Sequence, residues 1–192
     1  MKILIDVDGV VLDWEPAFDA WMAKQGFRVK KPDVYSQYVR YGFQRKKQCD
    51  ILVKQFNESA WIGYLKPLRD SVEWVRKLRT LNYTFDAITS LSEDECSGKL
   101  RAYNLEQVFG AGTFDRVLCI GTGADKDEAL AEYDKGHWWV EDKPLNCDAG
   151  LRAGHKPIII SHKWNLDYDN PDVQRADNWK DVYNIITATY SK

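Results

Sequence analysis

The eight residues KILIDVDG, at positions 2 to 9, limit the possible folds of this 192-residue chain more than any other stretch. A nearly continuous apolar run of this length suits a strand buried on both faces of a parallel sheet with helices on either side. This strand ends in two carboxylates. Side chains two apart on a strand point the same way, so Asp6 and Asp8 are expected to face one spot, and Gly9 permits a sharp departure or close ligand approach. Neighbouring carboxylates raise each other's pKa unless a cation or hydrogen-bond donors compensate, and a hard divalent ion such as Mg²⁺ prefers oxygen ligands of this kind. The pattern therefore implies a metal. The competing reading, that the aspartates merely cap a turn, suits a single aspartate better than a pair closing an apolar strand.

Four later segments, FDAITS, RVLCIG, WWVED and KPIIIS, share the pattern of β-branched or aromatic residues with an abrupt polar end, and they read as strands. Helical patterns lie between them, among them DSVEWVRKLRTLN with Val72, Val75 and Leu78 on one stripe, EDECSGKLRAYNLEQVFG and KDEALAEYDKG. A last helix is expected over DNWKDVYNIITATY, capped by Asp177 or Asn178. The alternation predicts an α/β fold with a five-stranded, mainly parallel sheet. Residues 15 to 65 break the rhythm with an aromatic, basic and helical composition. PAFDAWMAKQG places proline at a first helical position and glycine at a C-terminal cap, and a longer helical stretch follows. The expected organisation is a core of residues 1–14 and 66–192 with a helical cap over 15–65.

Each later strand brings a partner to the same edge as Asp6 and Asp8. The second ends in Thr89 and Ser90, whose hydroxyls and backbone N–H groups can hold a phosphate. After the third, GTGADKDEAL sets Lys126 at the opening of a helix, where its charge can hold phosphoryl oxygens and offset the carboxylates. The fourth ends in Glu141 and Asp142, a second acidic pair. Taken singly, each has an ordinary alternative as cap, turn or solvated side chain; acid, hydroxyl, lysine and acid at successive strand ends do not recur by accident.

In these motifs, DVDGV at 6 to 10, Thr89, Lys126 and the pair at 141 and 142, the sequence resembles the haloacid dehalogenase superfamily of aspartate-dependent phosphotransferases. The resemblance implies a Rossmann-like three-layer sandwich, a cap inserted after the first strand, and Mg²⁺-dependent hydrolysis of a small phosphate ester. By it, Asp6 is the nucleophile and Asp8 the general acid and base, also lending its backbone carbonyl to the metal. Thr89, Ser90 and Lys126 hold the phosphoryl group, Asp6 and Asp142 ligate Mg²⁺, and Glu141 reaches the metal through water. Within the superfamily the chain is most similar to the 5'(3')-deoxyribonucleotidases, through Asp13 with Trp14, EDKP at 141 to 144 and ADNWKDVYNII near the C-terminus. It departs from that pattern at Leu91, where a proline is usual, and at Glu141, where an aspartate is usual. A nucleoside monophosphate is the substrate this implies, and another small ester such as a sugar phosphate is the alternative. A phosphate-binding module without turnover is a further alternative, and it would not need Asp8.

Among the cap aromatics, Phe18, Trp21, Tyr35, Tyr38, Tyr41, Phe43 and Trp61 can pack or stack on a base, and Trp61, just before the return to the core, is the one chosen as a substrate contact. Arg40, Arg45 and Lys46 are candidates for guiding an anion, though a solvated helix face is their ordinary role. A formal charge of -2 gives no global attraction to polymeric nucleic acid or to an anionic membrane. No apolar stretch approaches the roughly 18 residues of a bilayer span and the start does not resemble a signal peptide, so the cytoplasm is the expected compartment. The four cysteines lack paired spacing and read as buried thiols, and His137, His155 and His162 lack the spacing of a zinc site.

Overall fold

The computed structural model describes residues 2 to 188. One sheet of six parallel strands forms its centre, in the order β3-β2-β1-β4-β5-β6. The strands are β1 (Lys2–Ile5), β2 (Thr84–Ser90), β3 (Phe114–Ile120), β4 (Trp138–Glu141), β5 (Lys156–Ile160) and β6 (Gln174–Ala176). Five were expected; β6 is the sixth. It has three residues, QRA, two of them exposed, so it carries no apolar run to announce it, and it is recruited by pairing with β5.

β1 lies in the middle, with Ile3, Leu4 and Ile5 fully buried. Burying each such side chain contributes about 1.5–3 kcal/mol, and together they anchor the strand from which the acidic pair projects. The chain moves outward from β1 to β3, then returns to place β4 on the other side of β1. That reversal opens a crevice beyond the carboxyl ends of β1 and β4, the usual ligand position in open α/β sheets. Helices α4 (Ser71–Thr80), α5 (Glu95–Phe109), α6 (Asp127–Ala131), α7 (Pro144–Arg152) and α8 (Trp179–Ala188) follow the strands. Asn178 caps α8, its Oδ1 accepting from the Asp181 N–H at 3.0 Å; Thr189 and Tyr190 of the expected helix lie outside the described residues.

Between β1 and α4 the chain forms α1 (Trp14–Lys24), α2 (Gln37–Tyr41), α3 (Lys46–Asn57) and a 3-10 turn (Ala60–Tyr64). α1 begins two residues earlier than proline suggested, so Pro16 is its third residue, still within the turn whose N–H groups need no intrahelical partner. The long helical stretch is broken at Gly42, where φ of +64° takes the left-handed conformation that ends α2. Phe18, Trp14, Trp21 and Phe56 pack ring against ring, with centroid separations from 4.6 to 6.1 Å. Most of the insert's aromatics are thus the small core that holds these helices together. Arg40 also belongs to it: it is buried, with Nη2 2.6 Å from Asp19 and Nη1 2.6 Å from Glu15, so it joins α2 to α1 and does not meet incoming anions. The expectation of four buried thiols holds for Cys49 and Cys147 but fails at Cys96, which is exposed, and Cys119, which is half-buried. No helix among the described residues is long and apolar enough to cross a membrane.

Candidate active site

β1 pairing ends at Ile5, so Asp6 and Asp8 belong to the tight turn that follows it. The Asp6 N–H still donates to the Val140 carbonyl at 2.9 Å, which fixes Asp6 beside the end of β4. The turn is then pinned from outside. The carbonyls of Gly9, Val10 and Val11 pair with His162 Nε2 at 2.7 Å, Trp179 Nε1 at 2.7 Å and Ser71 Oγ at 3.0 Å. Three consecutive backbone oxygens held by three separate elements leave the two aspartates little freedom.

Lys126 immediately precedes α6 and is 1 % exposed, with Nζ 2.8 Å from Asp6 Oδ1 and 2.9 Å from Glu141 Oε2. Burying a charge this deeply is tolerable only with partners of this quality. Glu141 is the most completely bonded acid. Its Oε1 accepts the backbone N–H groups of Asp142 and Lys143 at 2.9 and 3.0 Å, and its Oε2 accepts Lys126 Nζ and Asn146 Nδ2 at 2.9 and 3.0 Å. Burial alone would raise its pKa, but the Lys126 charge and these donors outweigh burial and hold it at about 2. Asp6 goes the other way: burial, with the charges of Glu141 and Asp8 adding, raises it to about 7 against the pull of Lys126. Asp142 is also raised, first by burial and then by Glu141. Lys126 itself is pushed up, the two carboxylates overcoming the opposing effect of burial.

The acids therefore divide. Glu141 is ionised and saturated, whereas Asp6 and Asp142 are strained as anions and gain from a cation. Carboxylate oxygens of Asp6, Glu141 and Asp142 lie within 4.8 Å of one another, and that cluster can hold a metal ion. The Asp142 side chain lies against that of Glu141, and hard oxygen donors of this kind suit Mg²⁺. A divalent ion held there would neutralise the acids' charge and act as a Lewis acid on a bound oxygen. Gly9 makes the approach possible: a Cβ on it would stand 2.2 Å from Asp142 Oδ2, and its φ is +77°.

Asp8 is held by Arg101, whose Nη2 lies 2.8 Å from Oδ1 and 2.9 Å from Oδ2. Burial raises the Asp8 carboxyl and Arg101 limits the rise. The sequence analysis missed Arg101, though a signal exists. It stands four and eight residues before Leu105 and Phe109 on the buried face of α5, and a cation on a buried face needs a partner. His162, also passed over, has burial as the main cause of its lowered pKa. Its ring is stacked on Trp164 at 5.3 Å and 9°.

Thr89, at the end of β2, is 1 % exposed, faces the cavity and leaves Oγ1 without a hydrogen-bond partner. A buried hydroxyl without a partner costs free energy and is suited to meet a ligand oxygen. Ser90 also lines the cavity, but its Oγ donates to the Ala124 carbonyl at 3.0 Å, holding the loop that carries Lys126.

Asp6, Asp8, Thr89, Ser90, Lys126, Glu141 and Asp142 all line one cavity of about 500 Å³. Four aromatic rings, those of Trp14, Tyr35, Tyr38 and Trp164, line the same cavity, and the charges of the acids reach the Tyr35 hydroxyl. Tyr35 meets Trp164 at a ring separation of 4.6 Å, and Asp33 pairs with Lys163 at 3.1 Å, so the segment before α2 touches the segment after β5. Trp61, the aromatic chosen from sequence, does not line this cavity; it packs on Phe56 at 6.4 Å with Lys24 Nζ 4.8 Å above its ring.

Comparison with solved structures places the fold. A haloacid dehalogenase-like family hydrolase from Streptococcus pneumoniae superposes with a TM-score of 0.69 at 13% identity, over 96% of this chain and 97% of that one. This is the haloacid dehalogenase-like fold. A heptose bisphosphate phosphatase from B. bronchiseptica, solved with magnesium and phosphate, superposes at a TM-score of 0.61 and 12% identity, over 98% of each chain. In sequence, the chain is 25% identical over 191 residues to an uncharacterized 32.4 kDa protein of Enterobacteria phage T4, covering 95% of this chain and 68% of the relative. No family model matches the chain.

Proposed function

We propose that the protein is a Mg²⁺-dependent phosphatase that hydrolyses small phosphate monoesters through an aspartyl-phosphate on Asp6, with nucleoside monophosphates, as for a 5'(3')-deoxyribonucleotidase, as substrates. The observation that carries the reading is Asp6: a buried carboxylate, raised to about 7, paired with Lys126 and clustered with Asp142. A carboxylate attacks a phosphate poorly because both are negative, and these neighbours remove that obstacle.

In the proposed reaction an Asp6 oxygen forms a bond to phosphorus as the ester oxygen leaves, taking its proton from Asp8. Water then gives a proton to Asp8 and attacks phosphorus, releasing inorganic phosphate and freeing Asp6. The raised pKa of Asp8 suits the first role and Arg101 suits its return to the ionised form. Thr89 and Lys126 bind phosphoryl oxygens, Asp6 and Asp142 would hold the metal together with the Asp8 backbone carbonyl, and Glu141, which orients Lys126, would reach the metal through water. Residues 15 to 65 form the cap, and Trp14, Tyr35, Tyr38 and Trp164 receive the leaving group. Stacking on such rings is worth about 1–3 kcal/mol per base, which favours a nucleobase.

A sugar phosphate is the second reading, favoured by the similarity to a heptose bisphosphate phosphatase. Phosphate release from nucleoside monophosphates and sugar phosphates, with Mg²⁺ and with chelator, tests both. The proposal expects metal-dependent release, fastest from nucleotides; equal rates across the panel contradict the nucleotidase assignment, and no release contradicts the phosphatase.

A further inference from the structure

Tyr35 belongs to the segment before α2 and lines the same cavity as Asp6, Asp8 and Asp142. That segment is held from two directions. Within the insert the buried Arg40 secures it: Arg40 Nη1 donates to the Pro32 carbonyl, and the Arg40 carbonyl accepts the N–H groups of Lys30 and Lys31 at 2.9 and 3.0 Å. Arg40 is itself paired with Asp19 and Glu15 of α1. From the core, Trp164 packs on the Tyr35 ring at 4.6 Å and Lys163 Nζ lies 3.1 Å from Asp33. The Asp33–Lys163 pair is exposed and contributes little, so Arg40 and the ring contact fix where Tyr35 stands.

The hydroxyl of Tyr35 makes no hydrogen bond among the described residues; the bond at this residue is Gln37 Nε2 donating to its backbone carbonyl, at 3.3 Å. The acids nonetheless act on the hydroxyl. Burial first, then the charges of Asp142, Glu141, Asp6 and Asp8, push its pKa well above the ordinary phenol range. A phenol among carboxylates keeps its proton, because ionising would add a like charge. Ionised carboxylates only accept hydrogen bonds, whereas a phenol donates. Like Thr89 Oγ1, this hydroxyl is therefore an unpaired neutral donor on the cavity wall, close enough to the acids to share their field and bonded to none of them.

Resting on the phosphatase reading, we propose that Tyr35 is a catalytic residue supplied by the insert, its hydroxyl donating a hydrogen bond to a phosphoryl oxygen held between it and the acids. Thr89 and Lys126 reach that group from the strand ends of the core, and Tyr35 adds a donor from a different part of the chain. A donor fixed in advance counts most where charge spreads over the phosphoryl oxygens during transfer. Being neutral, it is not drawn into an ion pair with the carboxylates as Lys126 is. The phosphoryl group is common to every ester, so the contribution of the hydroxyl is the same whatever the leaving group.

Tyr35→Phe tests this, because it removes the hydroxyl and keeps the ring that Trp164 packs against. Tyr35 is 51 % exposed, so the variant is expected to melt as wild type does. With saturating Mg²⁺, kcat is expected to fall about tenfold or more, by one factor for a nucleoside monophosphate and for a small aliphatic phosphate. Orthovanadate, which takes the five-coordinate geometry of phosphorus in transfer, is expected to bind the Mg²⁺-loaded variant about tenfold more weakly, while titration of Mg²⁺ alone gives the same affinity in both proteins. Unchanged kcat, a loss confined to one class of ester, or a loss of Mg²⁺ affinity with vanadate binding intact overturns the inference. Vanadate binding that weakens in Tyr35→Phe, in a protein that turns over no ester, contradicts the phosphatase reading and leaves the Tyr35 contact standing. Wild-type protein that binds no vanadate and turns over no ester removes both.

Discussion

Arg101 and Asp8 lie 93 residues apart in sequence, and one guanidinium nitrogen of Arg101 sits within 2.9 Å of both Asp8 oxygens. Arg101 Nε and Nη1 make no hydrogen bond among the described residues, so Asp8 is the centre of its polar contacts. Removing Arg101 takes away the charge that limits the Asp8 pKa, which burial already raises. Arg101→Met is expected to move the limb of the pH–rate profile that reports Asp8 ionisation to higher pH and to lower kcat by about tenfold or more. Arg101→Lys should recover part of both. A profile unchanged in shape, in protein whose melt is normal, would show that Arg101 does not tune Asp8.

Gly9 and Asp142 give a steric prediction. A methyl at Gly9 would stand 2.2 Å from Asp142 Oδ2, on a backbone with φ of +77°; such left-handed geometry costs a non-glycine residue about 1 kcal/mol or more. Gly9→Ala should weaken Mg²⁺ binding by at least about tenfold, since the clash is relieved by displacing the Asp142 carboxylate. Calorimetric titration of Mg²⁺ into wild type and variant measures it.

The acids predict how metal, pH and stability interact. In the metal-free protein Asp6 is raised from 3.8 to about 7, so the folded state holds a proton that the unfolded chain releases. This contribution to stability is complete below about pH 3.8 and is lost as pH rises through about 7. Mg²⁺ favours the ionised form. Its addition is therefore expected to raise the melting temperature more at pH 8 than at pH 5, a difference read directly from thermal melts with Mg²⁺ and with chelator.

Trp164 and Tyr35 give a prediction specific to leaving groups. Both line the cavity, and Trp164 is held by His162 on one side. Trp164→Ala is expected to raise KM about tenfold for esters with aromatic leaving groups, equivalent to about 1.4 kcal/mol, and to change KM little for a small aliphatic phosphate. Trp164→Phe should retain most of the affinity. Equal losses on both classes of ester would assign the ring a role in folding only.

How much of this was legible in the sequence depends on the kind of signal each residue carries. β1 and its acids were readable because an apolar run that stops in charge has few physical solutions. Lys126, Thr89, Glu141 and Asp142 followed once the strand ends were aligned, and all line the same cavity as Asp6. Gly9 was noticed, but its partner Asp142 could only be identified with β4 beside β1. Arg101 left a trace on the buried stripe of α5 that went unused. Trp164 left none, since it sits in a single 3-10 turn, Lys163–Asn165, after β5, too short to carry a periodic pattern. Trp61 shows the opposite error: an aromatic near the return to the core looks like a ligand contact in sequence, but a small helical insert consumes its aromatics in its own packing.

The central claim is that Asp6 becomes covalently phosphorylated. Acid quenching of a single turnover with radiolabelled nucleoside monophosphate and Mg²⁺, followed by peptide mapping, measures this directly. The account predicts transient label on the peptide carrying Asp6, lost with chelator and absent from Asp6→Asn. Unlabelled protein throughout a productive turnover, or undiminished turnover by Asp6→Asn, would contradict it.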